Sequence, residues 1–133
     1  MSSLNTPEPA PIPNAGQPVW PLAITDIKEY ACQFGERRKA AEVACLIALD
    51  GCERNDIGTK KYGTPLCVGD GRNALVDAYQ ESLDLLVYLR KEIEEGQGVS
   101  REDENTLAVV YEDAMSVVLL LKTILLQREA KPA

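Results

Sequence analysis

The sequence predicts an all-α protein. Apolar residues recur at spacings of three and four along most of the chain, which is the period of an amphipathic helix. No stretch of any length alternates apolar and polar residues as a half-buried strand does. A chain of 133 residues, 45% of them hydrophobic, is long enough to bury one core. We therefore expect a single helical domain over residues 22–133.

The N-terminal segment, residues 1–21, is rich in proline and has few apolar residues. We expect it to be an extended, disordered tail, because such a composition buries too little apolar surface to order a chain. Trp20 at its end is expected to pin the tail to the domain by packing. A short helix should follow over residues 24–34, with Thr25 or Asp26 as its cap.

A longer helix is predicted over residues 36–57, where alanine and straight-chain residues with high helix propensity dominate. Its central part, residues 43–49, is apolar all round, so we expect it to be buried on several sides. Gly51 is a weak point within this helix, and Gly58 is expected to end it. A glycine-rich loop follows.

Two further helices complete the predicted fold. The third should run from about Arg72 to Glu95, and Ser100 should cap the fourth, with Asp103 forming an imperfect capping box. Apolar residues cover an unusually wide surface of the fourth helix. That surface is larger than one small bundle needs, and we expect it to form a subunit interface.

Charge and composition exclude several classes of function. A net charge of -7 argues against nucleic-acid binding, which needs a cationic surface. The chain has no histidine, which excludes Ser-His-Asp and Cys-His catalysis and the Glu-x-x-His motif of di-iron bundles. No signal peptide or membrane-spanning segment is apparent, so we expect a cytoplasmic protein without membrane contacts.

The four cysteines do not indicate a metal site. They form no Cys-x-x-Cys pair, so zinc is not expected. We expect them to be small buried residues of a reduced intracellular protein.

Two pairs of acidic residues carry the strongest functional signal: Asp50 with Glu53 (the first acidic pair) and Glu81 with Asp84 (the second acidic pair), the latter preceded by Asp77. Residues three apart on a helix point in similar directions, about 60° apart around the axis. Both pairs continue apolar stripes, where carboxylates need a positive partner. If the two helices pack antiparallel, the pairs meet and form a site for Mg²⁺.

Alternatives to this metal site remain open. Glu53 could pair with Asp56 instead of Asp50, although the apolar stripe favours Asp50. The acids could also simply lie on solvated helix faces. Lys60, Lys61 and Arg72 are near the acidic pairs in sequence, and such cations suit a polyphosphate.

Residues 50–66 and 71–95 resemble the MazG-like all-α nucleoside triphosphate pyrophosphohydrolases, especially small forms encoded by bacteriophages. That family carries E-x-x-E on one helix and E-x-x-D on the next. The first acidic pair stands at the first motif, and the second acidic pair matches the second motif. The departure is Asp50, whose side chain is shorter than the glutamate of the family.

The resemblance implies a MazG-like helical bundle whose core is completed by oligomerisation, as a homo-dimer or tetramer. It also implies hydrolysis between the α- and β-phosphates of a (deoxy)nucleoside triphosphate. Two or three Mg²⁺ ions, for which Mn²⁺ can substitute, would be held by the two acidic pairs, with Asp50 and Glu53 as the catalytic residues and Asp50 as the base. The substrate would be contacted by Lys60, Lys61, Tyr62, Arg72, Asn73 and Asp77.

The resemblance points most closely to the phage subgroup called MazZ, which is associated with replacement of adenine by 2-aminoadenine. This implies a purine deoxynucleotide, dGTP first, and action in the cytoplasm of a bacterial host. A pyrimidine-specific member of the family, acting on dUTP or dCTP, is an alternative. A non-catalytic helical assembly protein is the alternative from another class.

Overall fold

A computed structural model describes residues 9–33, 37–96 and 100–131 of the chain. It contains four helices in the order α1 (Trp20–Ala31), α2 (Arg37–Tyr62), α3 (Ala74–Glu95) and α4 (Arg101–Ala130). Within those ranges the only strand-like pairing is an isolated antiparallel bridge between Pro18 and Cys67. The predicted all-α class is therefore confirmed.

Contacts divide the chain into two compact units. The N-terminal unit extends to Arg72 and contains α1 and α2, and the C-terminal unit begins at Asn73 and contains α3 and α4. Among the residues with described structure, no helix combines the length and the apolar character that a bilayer crossing requires.

Helix α1 begins four residues before its predicted start, at Trp20, and Val19 is its N-cap without a side-chain hydrogen bond. The predicted caps Thr25 and Asp26 lie inside the helix, where the Thr25 hydroxyl donates to the carbonyl of Pro21 at 2.9 Å. Pro21 accounts for the early start, because a proline in the first helical turn loses no hydrogen bond. Phe34, the predicted end, is outside the described residues.

Helix α2 continues through Gly58 and ends only at Tyr62, so the predicted end was wrong. Gly58 lowers helix propensity but breaks no hydrogen bond. The true stop is Gly63, whose φ of 73° lies in the left-handed region and whose N–H donates to the Thr59 carbonyl at 2.8 Å. Glu36, the predicted start, is outside the described residues.

Gly51 is the residue over which α1 and α2 pack. It is buried, and a β-carbon there would lie 3.2 Å from both Ile24 and the ring of Trp20. The absence of a side chain therefore lets α1 approach α2 closely. Trp20 does pack against the rest of the unit, but it does so as the first residue of α1 and not as the end of an extended tail.

Residues 9–19 are paired along residues 63–72, and we call them the strap. The N–H groups of Ile12 and Val19 donate to Asp70 (2.6 Å) and Leu66 (2.9 Å), and Val68 donates to Gln17 at 2.9 Å. These residues are therefore ordered, in contrast to the predicted disordered tail. The sequence pattern did not indicate this pairing, because the partners lie about fifty residues away in the chain. The boundary that we placed after residue 21 falls inside α1, and residues 1–8 are outside the described structure.

In the C-terminal unit, α3 packs against α4. Asn73 caps α3 by accepting from the Val76 N–H, and Ser100 caps α4 by accepting from the Asp103 N–H, as predicted for Ser100. Arg90 lies over the ring of Tyr111 at 5.8 Å from its centroid.

Much of the apolar surface is exposed in the single chain. Residues 43–49 were expected to be buried, but Leu46 and Leu49 are 61% and 66% exposed, and of this segment only Ala44 is buried. Within the unit, α2 packs against α1 and leaves its other sides open. The expectation of buried cysteines holds for Cys67 alone, since the other three are exposed; all four are free thiols.

Candidate functional site

The first acidic pair lies on the middle of α2, in the N-terminal unit. Asp50 and Glu53 are both exposed, and neither has a hydrogen bond or ion pair with another described residue. Asp56, the alternative partner of Glu53, is exposed on the same helix. The carboxylates of this pair are thus available to a ligand.

The second acidic pair lies on α3, in the C-terminal unit. Glu81 and Asp84 are exposed and, within the described residues, are likewise without hydrogen bonds or ion pairs. Ser82 between them is buried, with its hydroxyl donating to the Tyr79 carbonyl at 2.7 Å. Because Ser82 turns toward the interior of the unit, its two acidic neighbours are presented outward. Asp77 lies in the first turn of α3 and is half-buried.

The donor chemistry of each pair fits Mg²⁺. This ion prefers oxygen ligands and is usually held by one or two carboxylates together with substrate phosphates. Across the ranges that the structure describes, no three acid or cysteine side chains come together as a ready-made cation cage. The two pairs belong to separate units, and their meeting in one site stays a prediction.

Three of the residues predicted to contact the substrate come together at the C-terminal end of α2. The Lys61 ammonium lies 5.2 Å from the centre of the Tyr62 ring, and the Arg72 guanidinium lies 5.8 Å from it. We call Lys61, Tyr62 and Arg72 the cationic cluster. Cation–π contacts hold both positive groups beside the ring of Tyr62, a residue that is 47% exposed. Lys60 precedes the cluster and is exposed.

Arg72 is held at two further points. Its backbone N–H donates to Oδ1 of Asp70 at 3.1 Å, and its Nη1 donates to the carbonyl of Pro9 at 3.5 Å. The second contact is long and joins the strap to the cluster. The guanidinium is thus positioned by the tyrosine ring and by the strap together.

Asp70 was not identified from the sequence. It is 6% exposed, and its Oδ2 has no hydrogen-bond partner among the described residues. It lies between Gly69 and Gly71, whose φ angles of 75° and 86° are those of a tight turn. The Gly-Asp-Gly sequence was the available signal, since aspartate commonly accepts from a backbone N–H two residues on.

Asn73 was predicted to contact sugar or base. Its Oδ1 accepts the Val76 N–H at 3.2 Å, which fixes that oxygen as the cap of α3. The geometry therefore assigns Asn73 a capping role, and its contact with the nucleotide stays a prediction.

Comparison of the chain with protein-family models, with curated proteins and with solved structures gave no match.

Proposed function

We propose that this protein is a Mg²⁺-dependent (deoxy)nucleoside triphosphate pyrophosphohydrolase of the MazG-like type. The observation that carries the proposal is the pair of motifs Asp50-x-x-Glu53 and Glu81-x-x-Asp84 on helices that follow each other in the sequence. Support comes from their exposure and from the absence of protein partners for these four carboxylates within the described residues. Acids without a charge partner are available for a cation brought with the substrate.

The four carboxylates of the two acidic pairs would hold the metal. Bound Mg²⁺ would polarise the α-phosphate and neutralise charge on the departing pyrophosphate. Asp50 would orient the attacking water and accept its proton. Lys60, Lys61 and Arg72 would bind phosphate oxygens, which favours the charged triphosphate over a neutral nucleoside.

We propose a purine deoxynucleotide as substrate, dGTP before others, with dUTP or dCTP as the alternatives within the same chemistry. The base would approach Tyr62, whose ring is half exposed beside two cations. Aromatic stacking accepts every base, so Tyr62 by itself does not select guanine.

The decisive experiment incubates the purified chain with each of the common dNTPs and Mg²⁺, then separates the products. Monophosphate plus pyrophosphate is expected, with dGTP consumed fastest. Diphosphate plus orthophosphate would indicate cleavage at another phosphate and would refute the proposal. EDTA should abolish turnover, and Mn²⁺ should restore it.

A second candidate function is a non-catalytic helical assembly protein. The exposure of apolar residues on α2 and α4 favours an assembly role. Leu49 on α2 and Leu119 on α4 are each more than 60% exposed. Assembly without any nucleotide product in the experiment above would favour this candidate.

A further inference from the structure

The strap is attached to residues 63–72 by more than backbone pairing. Besides the three backbone hydrogen bonds, the Asn14 N–H donates to Oγ1 of Thr64 at 2.9 Å, and Thr64 is 3% exposed. The side chain of Ile12 packs against Gly71, where an added β-carbon would lie 3.3 Å from it. Polar and apolar contacts therefore both attach the strap to this loop.

Gly16 is the point of closest approach. A β-carbon built on it would lie 2.4 Å from the carbonyl oxygen of Val68, which is a backbone atom and cannot swing aside. Only glycine allows the strap to lie this close to the loop. The neighbouring Val68-to-Gln17 hydrogen bond depends on the same approach.

The strap is connected to Arg72 in two ways. The Ile12 N–H donates to the carbonyl of Asp70, and Oδ1 of Asp70 in turn accepts the backbone N–H of Arg72. Pro9 accepts from the Arg72 guanidinium. The contact with the Tyr62 ring is a further support of that guanidinium.

We propose that the strap is a positioning element for an anionic ligand. It holds Arg72 beside Lys61 and Tyr62, so that the cationic cluster is pre-organised before a polyphosphate binds. Pre-organisation raises affinity because the ligand does not have to order the side chains that contact it. This inference rests on the proposed function for the choice of a polyphosphate as ligand.

The test compares Gly16→Ala with Gly58→Ala in the chain of 133 residues. Both changes add one methyl group, but Gly58 has no atom within 4 Å of the added carbon. Hydrogen exchange at the amides of Val19 and Val68 reports the strap, and calorimetry with inorganic tripolyphosphate reports the cluster. We expect at least tenfold faster exchange and at least fivefold weaker binding in Gly16→Ala, with neither change in Gly58→Ala.

A double-mutant cycle separates positioning from general destabilisation. If the strap acts through Arg72, the variant carrying both Gly16→Ala and Arg72→Ala should bind tripolyphosphate no more weakly than Arg72→Ala alone. Additive losses would overturn the proposal, as would unchanged binding in a Gly16→Ala variant whose strap amides exchange faster. Unchanged exchange would show that Gly16 does not hold the strap and would overturn it too.

Thr64→Val provides a second route if Gly16→Ala does not fold. It removes the acceptor of the Asn14 N–H at nearly constant volume, and the same loss of tripolyphosphate affinity is expected. Failure of the wild-type chain to bind tripolyphosphate would overturn the strap's positioning role. Binding of tripolyphosphate without pyrophosphate release from any dNTP would refute the proposed function while leaving the strap proposal intact.

Discussion

Asp50, Glu53, Glu81 and Asp84 are the residues on which the proposed chemistry depends. All four are exposed, and within the described residues they lack hydrogen-bonded or charged partners. Repulsion between paired carboxylates is acceptable in water and becomes costly only when ligand binding removes that water. A divalent cation supplied with the substrate offsets the repulsion at that moment.

Glu81→Gln should lower turnover by about 100-fold or more, because each loss of about 1.4 kcal/mol in transition-state stabilisation is a factor of ten and a metal contributes several kcal/mol. The change removes charge with almost no change in volume. Pyrophosphate release measures the effect, and circular dichroism checks that helix content is unchanged. Glu112→Gln changes a glutamate on α4 that is also exposed, and it is the control. Wild-type turnover in Glu81→Gln would reject the assignment of this residue to the metal.

Asn73 offers a test of capping against nucleotide contact. Asn73→Ala should destabilise the fold by about 1 kcal/mol, and Asn73→Asp should retain most of that stability because aspartate also accepts at an N-cap. Urea unfolding at one fixed protein concentration measures both. If the two variants unfold alike, the hydrogen bond to Val76 contributes little and the capping role is refuted.

Helix ends and helix contacts depend on single glycines within α2 and directly after it. Gly51 accommodates α1, Gly58 lies within the helix in open space, and Gly63 ends it with a positive φ. The same residue type thus has three different roles, two within α2 and one at the turn that follows it. Each role makes a different prediction for alanine.

Gly51→Ala should destabilise the N-terminal unit, because overpacking against Trp20 and Ile24 typically costs about 1–3 kcal/mol. Most of this range is larger than the gain of about 1 kcal/mol in helix propensity, so the net effect is expected to be destabilising. Gly58→Ala brings only the gain in helix propensity and should raise the free energy of unfolding by about 0.5–1 kcal/mol. Thermal unfolding of both variants, with Trp20 fluorescence as the probe, checks the contrast. Equal stability of the two variants would contradict the close approach at Gly51.

Gly63→Ala should destabilise by about 1–2 kcal/mol, the cost of placing an L-residue in the left-handed region. Gly63→Asn should cost less, since asparagine tolerates this conformation. The midpoint of urea unfolding measures both changes. A midpoint for Gly63→Ala at or above that of the wild type would mean that α2 does not end at this turn.

At the scale of the whole molecule, many large apolar residues are exposed along the part of the chain that the structure describes. On α4 the side chains of Leu119 and Leu120 are 69% and 64% exposed, next to a wide apolar surface of the same helix. Large exposed apolar patches commonly mark interaction surfaces. We therefore expect self-association, with a dimer as the minimum.

Sedimentation should show the wild-type chain as a dimer or tetramer. Leu119→Arg should shift it toward the monomer, because burying an unpaired charge at an apolar interface is costly. Gln127→Arg adds the same charge at an exposed polar position on the same helix and should not dissociate it. A stable wild-type monomer at micromolar concentration would refute the interface.

The number of helices, the all-α class and the Ser100 cap could be predicted from the sequence, because periodicity and capping are local properties. The acidic motifs were readable for the same reason, as residues three apart on one helix. The strap could not be predicted, because the hydrogen bonds of Ile12 with Asp70 and of Arg72 with Pro9 join residues that are separated in the sequence by both α1 and α2. Nor could the role of Gly51, because a missing side chain matters only when a particular neighbour approaches it. Contacts between distant residues depend on how the helices pack, and local sequence patterns do not specify that packing.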